Sequence, residues 1–212
     1  MHDYVLYLLI TLILSGIFSM GGAEAGLALI PIFNFLGLGF TVAKAVGLFT
    51  GASTTITSSV MNIKRKAVDF KFVFPIALMM VICAPLGAYS SSFIDENLVK
   101  FIYMLLLFYS AAMMMFSEKK RLFHAESKFT LFTVRAAVGC IVPFSALGSF
   151  FTYATYVPLD WVLLSVVAFS AIVGGYIGDY FMHFKLKQSH IKKLMAGLLY
   201  LLALKLLWHF II

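Results

Sequence analysis

Apolar stretches without a charge alternate with short charged ones along almost the whole chain. Runs free of Asp, Glu, Lys and Arg cover 45–63, 72–94, 101–117, 136–159 and 161–178, and a last run, 194–212, holds only Lys205. Each is near the roughly 20 residues that cross a hydrocarbon core at about 1.5 Å per helical residue. The pattern predicts an all-α, polytopic membrane protein with six spanning helices. The remaining apolar stretch, from Tyr4 to about Gly39, fits neither one crossing nor two joined by a wet turn. A kinked span or a re-entrant hairpin suits its length.

Residues 19–31 read Ser-Met-Gly-Gly-Ala-Glu-Ala-Gly-Leu-Ala-Leu-Ile-Pro, and Glu24 is the one charge between Tyr4 and Ala43. Each glycine costs a helix about 1 kcal/mol and Pro31 removes a backbone donor, so a broken helix is expected here. In lipid, irregular backbone survives where it is buried in protein or lines a watery cavity. A helix restarting after Gly26 would aim free amides into that cavity, which suits an anion. Gly21, Gly22 and Gly26 are therefore candidate substrate-binding positions. Glu24 is the candidate carrier of a coupling proton, because an ionisable residue at membrane depth is by default functional. The alternative is a loose helix packed through its glycines, with Glu24 near an interface or paired with a lysine.

Hydrophobic residues make up 62% of the 212 and charged residues 12%, and the mean hydropathy of +1.00 places the chain in a bilayer. The net charge of +7 does not indicate nucleic-acid binding, because the basic residues cluster between apolar runs. Lys64, Arg65, Lys66 and Lys71 share one connection, Lys119, Lys120, Arg121 and Lys128 another, and Lys185, Lys187, Lys192 and Lys193 a third. Connections between them carry Asp95, Glu96 and Lys100, then Asp160. The positive-inside rule puts the three basic connections in the cytoplasm and the C-terminus outside, in a multi-pass protein of the cytoplasmic membrane. Met1-His2-Asp3 lacks the basic start of a cleavable signal, so the first segment is expected to be retained. Cys83 and Cys140 fall inside apolar runs and read as small packing residues.

An internal repeat is visible. Residues 40–47, FTVAKAVG, recur as FTVRAAVG at 132–139, matching at six of eight positions with an offset of 92. Asp69-Phe70 answers Asp160-Trp161, and Gly87 with Tyr89 answers Gly178 with Tyr180, both at an offset of 91. Three crossings in the first copy would insert the second upside down, the inverted repeat of secondary transporters. The expected organisation is an N-terminal Gly-rich segment, 1–39, a three-helix repeat, 40–117, a basic cytoplasmic linker, 118–130, and an inverted three-helix repeat, 131–212. The second copy lacks a counterpart of residues 1–39, and two chains could complete a cavity that one leaves open, so a homodimer is an expected partner arrangement.

The order of motifs resembles the TauE/SafE family of sulfite and organosulfonate exporters. That family's Gly-rich stretch, small-residue motif, basic loop and Pro/Gly-rich helix are answered by Gly22-Ala23-Glu24-Ala25-Gly26 before Pro31, Ala45-Val46-Gly47, Arg65-Lys66-Ala67-Val68-Asp69-Phe70, Pro75-Ile76-Ala77-Leu78 and Ala84-Pro85-Leu86-Gly87-Ala88. The resemblance runs from 16 to 117 and is faint from 132 onward. Glu24 and Ala25 stand where the family has glycine, Leu48-Phe49 where it has Thr-Ser, and the second Gly-rich segment is missing. The resemblance implies transport of a small sulfur-containing anion, such as sulfite or a sulfonate, across the bilayer.

Thr50, Ser53, Thr54, Thr57 and Ser58 share one helix face and could hydrogen-bond a desolvated oxyanion, with Thr50, Thr54 and Ser58 the named candidates. Small polar residues equally let membrane helices approach closely. Ser145, Ser149 and Thr152 form the thinner counterpart in the second copy, and Ser145 and Ser149 complete the candidate set. Lys44 and Arg135 read as side chains that snorkel to the interface. An ion pair of Arg135 with Asp179 is also consistent with the topology. Asp69 and Asp160 read as helix N-caps followed by an interfacial aromatic. His2, His124, His183, His190 and His209 are scattered, and no hydrolase, zinc or phosphate-loop motif is present. The expectation is a non-enzymatic anion carrier with no cofactor and no metal. The competing expectation is a membrane scaffold or assembly protein that keeps the fold without transport.

Overall fold

The computed structural model describes residues 2–21, 23–64, 70–116, 128–184 and 188–211, and the described residues contain helices and no strand. The helices are α1 (His2–Gly21), α2 (Gly26–Phe35), α3 (Phe40–Lys64), α4 (Phe70–Ser91), α5 (Glu96–Phe116), α6 (Lys128–Ala154), α7 (Trp161–Phe184) and α8 (Gln188–Ile211). Four contain windows long and apolar enough to cross a membrane: Tyr4–Gly21, Val73–Ser91, Glu96–Met115 and Trp161–Phe181. Gly26–Phe35 and Gly139–Ala154 are shorter apolar segments. The all-helical, polytopic class stands, but α1 is itself a full-length apolar helix, where the sequence suggested a kinked span or a re-entrant hairpin. Gly16 inside it does not break it, and the glycine pair that does interrupt the helix falls at its end.

The odd N-terminal stretch resolves into α1, a break, and the ten-residue α2. At about 1.5 Å per residue α2 is roughly 15 Å long, half a bilayer core. Its far end stops sharply. Gly37 has φ +98°, the Leu38 amide donates to the Phe33 carbonyl (3.1 Å), and the Gly37 amide donates to that of Asn34 (3.1 Å). This pair of bonds closes a helix end through a left-handed residue, and glycine takes that conformation without a Cβ penalty. The Asn34 amide adds a bond to the Leu38 carbonyl (2.9 Å), and the chain turns directly into α3.

α1 packs most extensively on α7, and α3 on α6 and α7; α4 lies on α6, α5 on α8 and α2 on α3. The α1–α7 contact is close because both surfaces are small. A Cβ on Gly174 would come within 2.5 Å of the Leu12 carbonyl oxygen, and one on Gly178 would collide with that of Gly16. Hydroxyls fasten α1 on both sides: Ser19 donates to the Gly175 carbonyl of α7 (2.9 Å), and towards α3 the Ser19 hydroxyl meets that of Ser58 (3.1 Å) and the Ser15 hydroxyl that of Thr54 (3.1 Å). Between lipid-embedded helices, close backbone approach and hydroxyl bonds replace the missing hydrophobic drive.

Prolines inside helices leave carbonyls without their i+4 donor. Pro143 in α6 frees the Gly139 carbonyl, and the Ser59 hydroxyl of α3 donates to it (2.9 Å). Asp160 caps α7 as expected, accepting from the amides of Val162 (2.8 Å) and Leu163 (3.4 Å). Asp69, the other expected cap, lies outside the described residues. The Tyr4 hydroxyl donates to Asp160 (2.8 Å), so α1 starts at the end of the bundle where α7 starts. Cys140 is buried and Cys83 exposed, and both are free thiols.

Two outcomes follow. Gly178→Ala should destabilise the detergent-solubilised protein by about 1–3 kcal/mol through overpacking on α1, whereas Gly87→Ala, where a Cβ meets nothing within 4 Å, should be near neutral; thermal unfolding of both variants checks this. The hydrogen bond from Tyr4, helped by the two backbone amides, holds the Asp160 carboxyl below the ordinary carboxylate range. A depressed carboxyl stabilises the fold above its unfolded value and loses that contribution as pH falls through the folded one. The stability deficit of Tyr4→Phe should therefore be full at neutral pH and disappear in acid, in unfolding curves recorded across a pH series.

Candidate functional site

The described part of the break between α1 and α2, residues 23–25, lies beside the middle of α3. α2 begins without a side-chain cap: the Ala28 and Leu29 amides both return to the Ala25 carbonyl (3.1 Å each). The Glu24 side chain turns onto α3 and lies over Gly51, where a Cβ would meet its Cγ at 2.8 Å. Gly26 closes the other side, because a Cβ there would sit 3.1 Å from Oε1 and 2.7 Å from the Gly47 carbonyl oxygen. Glu24 thus occupies a slot left open by the missing side chains of Gly26 and Gly51, while Gly47 makes room for Ile30 of α2. Its Oε1 is buried and has no hydrogen-bond partner among the described residues.

Next to this slot a second backbone problem is solved. Pro31 lies inside α2 and cannot donate to the Leu27 carbonyl, so it does not end the helix but leaves an unmatched acceptor. The Tyr103 hydroxyl of α5 donates to that carbonyl at 2.6 Å. The phenol is near enough to Glu24 for the carboxylate's charge to act on it. One tyrosine therefore ties α5 to the half-helix and borders the carboxylate.

Tyr103 also lines a cavity of about 330 Å³ whose other polar side chains are Lys44, Ser145, Ser149 and Tyr153. Its remaining wall is apolar, from residues such as Ile30, Leu48 and Ala88. A second cavity of about 180 Å³ adjoins it and shares Lys44, Val99 and Tyr153. The Lys44 ammonium stands over the Tyr153 ring (4.5 Å) and the Phe40 ring (5.2 Å). Tyr153 is held from α4 by a 2.5 Å hydrogen bond between its hydroxyl and that of Ser91. A larger cavity of about 500 Å³ opens near Phe49, Phe150 and Trp161; its polar side chains are Ser165 and the Trp161 indole, and it is lined by no cation.

The candidate residues divide accordingly. Ser145 and Ser149 line the polar cavity together, and Ser149 reaches the Ala84 carbonyl at 3.4 Å. Gly26 borders the Glu24 slot, whereas Gly21 faces α8, where a Cβ would collide with the Met195 sulfur. Gly22 lies outside the described residues. The hydroxyl face of α3 is turned inward: Thr50 donates to the Val46 carbonyl (2.7 Å), Thr54 to that of Thr50 (2.9 Å), and Ser58 meets Ser19. Those hydroxyls serve helix packing and line none of the three cavities described above. The side chain of Arg135 lies outside the described residues. Sequence reading missed Tyr103 and Gly51 as neighbours of Glu24. The signal for Tyr103 was Pro31, whose missing donor requires a partner from another helix, but sequence alone does not say which.

The family model described as Sulfite exporter TauE/SafE matches residues 4–142, more than half of the chain. Neither the curated proteins nor the solved structures gave a match.

Tyr103→Phe leaves the Leu27 carbonyl without a donor at membrane depth and should cost about 1–3 kcal/mol. In a Pro31→Ala background the helix supplies its own donor, so the same substitution should cost measurably less. A double-mutant cycle by thermal or denaturant unfolding in detergent tests the coupling.

Proposed function

We propose, from the premise that this chain belongs to the sulfite exporter TauE/SafE family, that it is a secondary carrier moving a small sulfur-containing anion, sulfite or a sulfonate, across the cytoplasmic membrane. Membrane transport of sulfur compounds is the family's activity, and the substrate and coupling are our assignment. The observation that carries it is the interruption at residues 23–25, where the buried Oε1 of Glu24 has no hydrogen-bond partner among the described residues, near a cavity with polar side chains. Membrane proteins keep broken backbone and intramembrane charge where ions or substrates pass.

In this assignment Ser145 and Ser149 offer hydroxyl donors to the anion, and the uncapped start of α2, with Gly26, contributes the positive end of its dipole. Glu24 carries the coupling proton: neutral, it tolerates an anion nearby, and ionised, it opposes one. Gly21 and the face of Thr50, Thr54 and Ser58 support the site through close packing rather than contact, and Gly22 keeps its proposed place in the anion site. The two three-helix halves are read as inverted repeats within six spans, to which α1 and α2 are added. Their pairings support this, since α4 on α6 and α7 on α3 exchange when the halves are swapped. With the basic connections read as cytoplasmic, we read the start of α1 as lying outside along with the C-terminus, a reading that the contact between Tyr4 and Asp160 supports. A homodimer would cover the half of the bundle that lacks a second Gly-rich segment.

Proteoliposomes holding the purified chain should take up sulfite in counterflow, faster with an imposed proton gradient. Glu24→Gln should abolish the response to that gradient. Gradient-dependent flux unchanged in Glu24→Gln would remove the proton role, and wild-type liposomes inert to sulfite and sulfonates would favour a scaffold.

A further inference from the structure

The carrier assignment gives the anion donors but no opposite charge, and the structure supplies one on α3. Lys44 lies in the wall common to the 330 Å³ and 180 Å³ cavities. Its ammonium has no carboxylate within 4 Å among the described residues. The acid nearest in the smaller cavity, Glu96, is already engaged by Lys100 at 2.6 Å. What holds Lys44 is a pair of ring faces, Phe40 and Tyr153, and Phe40 also faces the Lys100 ammonium at 5.2 Å. Ring faces attract a cation through their quadrupole without neutralising its charge. A lysine that merely reached for the interface would not be clasped in the wall between two cavities by rings from its own helix and from α6.

We infer that Lys44 is the charge-selecting ligand of the anion path, placed at the neck between the two cavities so that an anion crossing it pairs with the ammonium. This rests on the carrier assignment and adds a residue to it. One ammonium matches one negative charge, and Ser145, Ser149 and a largely apolar wall complete the surroundings. The site therefore fits a monoanionic oxyanion with an apolar substituent better than a dianion, whose second charge would stay uncompensated in a low-dielectric wall. Tyr153 is a positioning residue: its ring seats the ammonium, and its bond to Ser91 fixes the ring to α4.

The test uses methanesulfonate as the monoanion and sulfate as the dianion. Equilibrium binding to purified wild-type protein should favour methanesulfonate over sulfate. Lys44→Gln should weaken methanesulfonate binding at least about tenfold, the scale of losing one partner of a desolvated charge pair, while Lys44→Arg should stay close to wild type. Equal binding by Lys44→Gln, or no methanesulfonate binding by the wild type, overturns the inference. Binding that depends on Lys44 without any flux in liposomes upholds it and removes the carrier assignment instead. If Lys44→Gln does not fold, acylation of Lys44 in the wild-type protein, followed by peptide mass spectrometry, decides the matter. Methanesulfonate at constant ionic strength should slow the modification at Lys44, and an unchanged rate overturns the inference.

Discussion

A backbone carbonyl or amide inside a bilayer has no water to turn to, and each one lost to the helix must find a partner in the protein. This chain places proline inside its helices and meets the consequence with side chains from elsewhere. Leu27, deprived by Pro31, receives the Tyr103 hydroxyl, and Gly139, deprived by Pro143, receives that of Ser59. In both cases the donor comes from a different helix, so the repair is also a cross-link. It ties α5 to α2 and α3 to α6, which are the elements around the polar cavity.

Glu24 Oε1 leaves that rule unmet, as the Thr11 hydroxyl does among the described residues. Gly26 of α2 and Gly51 of α3 leave the slot for the Glu24 side chain, and its buried oxygen has no donor among the described residues. A polar atom in such a position is costly unless it is neutral or meets a partner that comes and goes. The fold tolerates it beside a half-helix whose first amides are also uncapped. Structural economy would have put an apolar residue here, and a site that must change its proton or ligand state would not.

Much of this was legible in the sequence. The apolar runs gave the helices because uninterrupted lipid-soluble sequence admits few other structures, and the glycines around Glu24 marked the break. Pro31 was misleading as a terminator: one missing donor is tolerated when a neighbour replaces it, and the helix ends instead at Gly37. The hydroxyl stripe on α3 fitted two roles equally, and only three-dimensional neighbours separate them. Ser15 and Ser19 of α1 meet Thr54 and Ser58, so the stripe is a seam. Lys44 resembled an ordinary interfacial lysine because its defining contacts come partly from Tyr153, more than a hundred positions away.

The seam between α1 and α7 has a consequence for biosynthesis. The Ser19 hydroxyl meets its carbonyl acceptor on Gly175, which is 156 residues later in the chain. α1 must therefore wait, its small and hydroxylated face without its final neighbour, until the ribosome has made the residues that lead to α7. Whatever shelters that face meanwhile, whether translocon, insertase or lipid, acts as a placeholder for α7, so α1 settles only after a helix made long after it.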